Sequence, residues 1–146
     1  MSKRLLLPLI CTLAAACDNT ISGPSGTDSS GTTVTAITRS TESFEATLSQ
    51  GESTFYSFTV STAGSVAVTL ASVAQVGRPA AVATPMRIGL GTPAGEGCTI
   101  SDTVDAAAAL TPQLAVSQSA GIHCVSIADA GHLTGPALVS VRFTHP

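Results

Sequence analysis

The amino-acid sequence predicts an all-β fold, with antiparallel sheets packed face to face, from its hydrophobic period, its residue choice and its punctuation. From about residue 34 onward, apolar and polar residues alternate in many short runs, so that each run offers one apolar face. Ser, Thr, Gly and Val recur throughout, which favours strands and turns over helices. Gly and Pro separate the runs. Sheets with one apolar face each must cover one another, so a sandwich follows more readily than a single sheet.

The runs follow in order. Phe44, Ala46 and Leu48 share a face, with Glu45 and Thr47 opposite, and the turn Ser49-Gln50-Gly51-Glu52 comes next. Tyr56, Phe58 and Val60 form a second apolar row against Ser57 and Thr59. Ala63-Gly64 turns the chain into Val66, Val68 and Leu70. Met86, Ile88 and Leu90 repeat the pattern beyond Pro79 and Pro85. Leu114 and Val116 make a shorter run, and Val139, Val141 and Phe143 close the series with Ser140 and Arg142 outward. Two stretches leave alternatives open. Residues 122–127 (IHCVSI) are apolar on both faces, as in an interior strand, so their orientation is unassigned. Residues 102–110 (DTVDAAAAL) combine helix-forming alanines, Asp102 as an N-cap and Pro112 beyond the end, and read as a short helix or a loop.

Composition bounds the rest. A chain of 146 residues holds one domain and a tail. Hydrophobic residues make up 44% and charged residues 10%, which is enough apolar surface for a core and too little charge for a disordered chain. Aromatics are only 3%, so Val, Leu, Ile and Ala must fill that core. Beyond residue 17 there is no lysine, and four arginines (Arg39, Arg78, Arg87 and Arg142) face nine acidic residues, a balance of −5. A nucleic-acid partner requires a basic face that displaces counterions from phosphate, and this balance excludes one.

The N-terminal segment carries an address. Lys3-Arg4 precedes a twelve-residue apolar run, residues 5–16 (LLLPLICTLAAA). As a helix it reaches about 18 Å, short of the ~20 residues that span a bilayer and suited to a signal-peptide core. Leu13-Ala14-Ala15-Ala16-Cys17 then resembles the lipobox of bacterial lipoproteins, with Ala14 in the place where Leu is commonest. The resemblance implies cleavage before Cys17, a diacylglyceryl thioether and a palmitate-type acyl chain on that residue, and a bacterial envelope location outside the cytoplasm, with the choice of inner or outer membrane open. The alternatives are an ordinary signal peptide cut at Ala-x-Ala, which leaves Cys17 a free thiol, or a retained helix. The expected division is residues 1–16 as signal peptide, 17–33 as lipidated cysteine and Gly/Ser/Thr tether, and 34–146 as the folded domain. With Cys11 removed and Cys17 acylated, Cys98 and Cys124 remain, and in an oxidising compartment a disulfide between them is the default.

Gly51-Glu52-Ser53-Thr54-Phe55-Tyr56-Ser57-Phe58-Thr59-Val60, then Ala63-Gly64-Ser65-Val66-Ala67-Val68-Thr69-Leu70, resembles bacterial pre-peptidase C-terminal domains. So does Ala120-Gly121-Ile122-His123-Cys124-Val125-Ser126-Ile127 followed by Asp129-Ala130-Gly131-His132-Leu133, over about residues 42–145 in all. His123 stands where that family usually has Tyr, and His132 where Asn is common. The resemblance implies a jelly-roll-like sandwich of about eight strands, used as an accessory module beside secreted enzymes. Some relatives bind calcium through clustered acids, whereas Glu42, Glu45, Glu52, Asp102, Asp105 and Asp129 are dispersed here, and that site is not carried over.

Candidate chemistry centres on His123, Asp129 and His132, which a folded-back turn could gather as metal ligands or as a small hydrolase site. The alternative is that His123 fills a core slot, Asp129 bonds backbone amides of an Asx turn, and His132 is exposed. Gly89-Leu90-Gly91-Thr92-Pro93-Ala94-Gly95 departs from a dinucleotide loop, because Pro93 interrupts it and no helix pattern follows, and it reads as a strand ending in a glycine-rich turn. No serine occupies a G-x-S-x-G elbow. The expectation is a membrane-anchored, non-catalytic module without catalytic residues, metal or cofactor, contacting an envelope protein or glycan. A purely structural envelope protein is the alternative.

Overall fold

The computed structural model describes residues 38–78 and 83–146. The signal segment, Cys17 and the tether to residue 33 lie outside the described residues. Eight strands form in chain order: β1 (Ser40–Leu48), β2 (Ser53–Val60), β3 (Gly64–Gln75), β4 (Met86–Ala94), β5 (Gly97–Ala106), β6 (Leu114–Gln118), β7 (Gly121–Ala128) and β8 (Ala137–His145). They build two antiparallel four-stranded sheets, ordered β1-β8-β3-β6 and β2-β7-β4-β5. Only β4 and β5 are successive neighbours within one sheet, and every other connection crosses between the sheets. That alternation is the jelly-roll arrangement of a β-sandwich.

Side-chain alternation explains why these residues form these layers. In an antiparallel pair, residues directly opposite share a face. Phe44, Ala46 and Leu48 stand opposite Val141, Val139 and Ala137, so one row of β1 and one row of β8 point inward together. Val66, Val68 and Leu70 on β3, and Val116 and Leu114 on β6, extend that layer. The facing layer comes from Phe58 and Val60 on β2, Val125 and Ile127 on β7, and Met86, Ile88 and Leu90 on β4. The core is therefore mainly aliphatic, with Phe58 and Phe143 as its two buried phenylalanines. Each such side chain taken out of water contributes on the order of 1.5–3 kcal/mol before chain entropy is counted.

The two open stretches now have definite structures. Residues 102–110 contain no helix: β5 continues through Ala106, and residues 107–113 cross to the other sheet. That crossing has a role for its backbone. The Ala109 N–H donates to the Leu70 carbonyl and the Gln113 N–H to that of Val68, at 3.0 Å each. The Gln113 side-chain oxygen accepts from the Leu70 N–H at 2.9 Å, while its amide nitrogen donates to the Leu70 and Ala107 carbonyls. Tertiary hydrogen bonds along β3 thus override the helix preference of four alanines. Residues 122–127 belong to β7, an interior strand, with His123, Val125 and Ile127 facing the core and Ile122, Cys124 and Ser126 facing outward.

Candidate functional site

The chain has four Phe, one Tyr and three His, and six of these eight rings gather toward the end of the sandwich where β1 begins and β8 finishes. Phe58 is the hub, with ring centroids 4.7 Å from Phe143, 5.0 Å from His145 and 6.1 Å from His123. Tyr56 stacks nearly parallel to Phe44 at 5.6 Å and tilts against Phe143 at 5.8 Å. Tilted and offset geometries of this kind let the positive ring edges meet negative faces.

A carboxylate ties the cluster together. Register places Glu42 opposite Phe143 and Ser40 opposite His145, so Glu42 and His145 are diagonal neighbours across β1 and β8. Glu42 Oε1 lies 2.9 Å from His145 Nε2, and Glu42 Oε2 accepts from the Tyr56 hydroxyl at 3.2 Å. The second nitrogen of His145 lies 3.2 Å from the main-chain oxygen of Pro146. Both ring nitrogens therefore face oxygen acceptors, and the buried imidazole is engaged as a brace rather than presented to a substrate. The hydrogen bond to Glu42, then that residue's negative charge, raise the Tyr56 phenol above its ordinary 10.0, so it remains a proton donor. Period-two alternation carries the signal for this network. Glu42 continues the inward row of 44, 46 and 48, and His145 continues that of 139, 141 and 143, so each is a polar group in an apolar register.

Of the three residues that pointed to metal or hydrolase chemistry, the structure brings Asp129 and His132 into one turn and leaves His123 elsewhere. His123 lies near the start of β7 and Asp129 just past its end, six residues on, a separation of about 20 Å along an extended strand. His123 is buried with Nε2 at 2.9 Å from the Ser119 carbonyl, and its Nδ1 has no partner among the described residues. Asp129 is buried and fully occupied. Its Oδ1 accepts from the backbone N–H of His132 at 2.8 Å and of Leu133 at 3.1 Å, and its Oδ2 accepts from Gly51 at 2.8 Å. Burial alone pushes the Asp129 carboxyl up, but the amides of Gly51, His132, Leu133 and Gly131 outweigh it and hold the group below its usual range. This is the Asx-turn reading with an added link, since Gly51 belongs to the β1–β2 turn. His132 is exposed.

Elsewhere an ion pair bridges neighbouring strands. Arg87 and Asp105, opposite one another on β4 and β5, form a two-pronged contact at 2.8 Å per prong. The Arg87 hydrogen bond holds the exposed Asp105 carboxyl below its usual range. Cys98 at the start of β5 and Cys124 on the outer face of β7 come to disulfide distance, with Cα atoms 6.0 Å apart. Gly91 makes this approach available. A Cβ there would overlap the Thr99 carbonyl, so only glycine lets β5 bend over β4 toward Cys124. The glycine-rich segment 89–95 is thus the end of β4 and its turn into β5. No family model and no curated protein sequence matches the chain.

Proposed function

We infer that this chain is an exported bacterial lipoprotein, anchored through lipid on Cys17, whose jelly-roll domain is a non-catalytic module that contacts an envelope protein or glycan. One observation carries the export half of this reading. The two cysteines left after signal removal and acylation are the pair that meets at disulfide distance, a pairing that suits an oxidising compartment. Two acyl chains or more on Cys17 give stable residence, at about 0.8 kcal/mol per buried CH₂.

The contact-module half is supported by how the polar groups are used. Asp129, His145 and the Arg87–Asp105 pair are each committed to internal partners that hold strands or turns together. The outward rows of β2 and β7 carry Phe55, Ser57, Thr59, Ile122 and Ser126, a neutral surface with two exposed apolar side chains. Cofactor and nucleic acid have no part in this reading.

Fractionation of cells expressing the full chain tests the anchor. Cys17→Ser is expected to leave the membrane fraction and lose metabolic labelling by palmitate, while firm retention of the variant refutes the lipid assignment. Pull-down with the 34–146 fragment is expected to enrich an envelope protein or glycan, and repeated failure to enrich either counts against the contact role.

A further inference from the structure

Four strands have a sheet neighbour on one side only: β1 and β6 in one sheet, β2 and β5 in the other. A sheet edge offers a row of unpaired N–H and C=O groups, and proteins guard it with charge, a bulge, shortness or a covering segment. β5 carries Asp102 and Asp105, and its pairing with β4 is interrupted by a register shift. β6 is only five residues long. β2 has none of these devices. Its eight residues, STFYSFTV, include no charge and no proline, and it pairs with β7 without a register shift. No loop-to-strand backbone hydrogen bond among the described residues closes on β2 itself.

What borders this bare ladder is acidic and aromatic. β1 is the edge strand that lies over β2, since Phe44 stacks on Tyr56 at 5.6 Å and Glu42 accepts from the Tyr56 hydroxyl at 3.2 Å. The rim between the two edges therefore presents a carboxylate flanked by two rings, with the Glu42 side chain 35% and Tyr56 38% exposed. One Glu42 oxygen meets His145 and the other meets Tyr56, and a carboxylate oxygen can accept more than one donor. Neither strand carries a lysine or an arginine. Arg39, just before β1, turns its guanidinium to the Ser65 carbonyl at 3.4 Å, and Arg142 stands opposite Ser43 in the outward row of the other sheet.

We propose that β2 docks an extended segment of a different, basic polypeptide. The segment adds as a further strand beside β2 and sets lysine or arginine side chains of its inner row against Glu42, Phe44 and Tyr56. The inference rests on the contact-module reading and names the chemistry of the partner. The groups left open along β2 are a backbone ladder, which another strand matches group for group. Charge then selects the strand. A carboxylate beside aromatic rings favours a cation twice, through ion pairing and through the ring quadrupole. A second copy is excluded on the same ground, because its own edge brings Glu42 and Glu45 toward their counterparts and offers no lysine or arginine in return. Phe55, Ser57 and Thr59 form a neutral outer row on β2, so the partner's alternate residues there are uncharged.

The test uses the full chain in detergent. The probe is a fluorescent peptide of about ten residues alternating lysine and threonine, compared with a glutamate–threonine peptide of equal length. The lysine peptide is expected to bind at least about tenfold more tightly, with an affinity that falls as salt rises. Bound peptide is expected to slow amide exchange in β2 and not in β5 or β6. Ser57→Lys, at a solvent-facing position of β2, is expected to weaken binding at least about tenfold. Thr103→Lys makes the same change of charge on β5 and is expected to leave binding within about twofold. Glu42→Gln keeps an acceptor for the Tyr56 hydroxyl and is expected to remove most of the preference for lysine over glutamate. The proposal is overturned if the two peptides bind alike, if protection falls outside β2, or if the two lysine variants weaken binding equally. It is also overturned if β2 becomes protected in the free chain as concentration rises, which marks a second copy as the occupant. An envelope protein captured equally by wild type and by Ser57→Lys overturns it too, while leaving the contact-module reading intact.

Discussion

At the scale of single residues, Asp129 is the most consequential polar group in the described structure. It joins two turns that each carry the chain from one sheet to the other, β1–β2 and β7–β8, by receiving the Gly51 amide from one and the His132 and Leu133 amides from its own. The link is reciprocal, since the Asp129 N–H donates to the Glu52 carbonyl at 2.9 Å. Asp129→Ala removes the acceptor for three main-chain donors and is expected to lower unfolding free energy by roughly 2–4 kcal/mol in urea titration. The carboxyl titrates below its ordinary 3.8 in the fold, so the unfolded chain binds the proton more readily. Its contribution is present above the ordinary carboxylate range and fades as pH falls through the lower folded value. Urea titrations at about pH 7 and about pH 3 are expected to differ less for Asp129→Asn than for wild type, because the variant lacks this titration. The Asx turn at Asp129 was legible from the local Asp-Ala-Gly-His spacing. Its bond to Gly51 was not, because those residues are 78 positions apart and no local pattern records the contact.

At the scale of elements, legibility tracks how regular the period is. The inward rows of β1, β2, β4, β6 and β8 appear in the sequence as plain alternation, and apart from Tyr56, which is 38% exposed, their apolar members lie in or against the core. β5 was hidden because Asp102 interrupts its apolar row between Ile100 and Val104 and four alanines follow from Ala106, which carries a helix signal. Its pairing with β4 also shifts register between Leu90 and Gly91, which puts Ile100 over the outer face and Val104 toward the core. An alternation that changes phase midway gives no clean signal. β3 is read only to Leu70 for the same reason, since a shift between Leu70 and Ser72 restarts its inward row at Val73. The β4–β5 bend makes a sharp prediction. Gly91→Ala places a methyl on the Thr99 carbonyl and is expected to cost about 3 kcal/mol or more, while Gly89→Ala meets only the movable Ile100 side chain and costs about 1 kcal/mol or less. Thermal denaturation of the two variants side by side checks it. Joining Cys98 to Cys124, 26 positions apart, cross-links β5 to β7 over β4. Reduction is expected to lower stability by roughly 3.5 kcal/mol on the loop-closure model, measurable by chemical denaturation with and without reductant.

At the scale of the molecule, the topology sets how the chain finds its structure. Six of the seven connections cross between sheets, and β1 pairs with β8 from the far end of the sequence. Such distant pairings must close large loops before any contact rewards them. Refolding from urea is therefore expected in milliseconds to seconds rather than microseconds, which stopped-flow fluorescence of Tyr56 can read. The all-β sandwich was legible from period two, together with the strand-favouring residue choice and the Gly and Pro punctuation. The Glu42–His145–Tyr56 network was not read from the sequence, where it shows only as two polar residues continuing apolar rows, since their meeting depends on the β1–β8 register, which alternation leaves free to slide in steps of two.

That register also decides how the domain answers to force. The first residue of β1 faces the last residue of β8, Ser40 against His145. Traction applied at those two positions in opposite directions opens the ladder like a zipper, one rung at a time, instead of shearing all rungs together. The first rungs to part carry the Glu42–His145 brace, so the earliest yield of the stretched domain is the loss of that contact and the lifting of β1 away from β8.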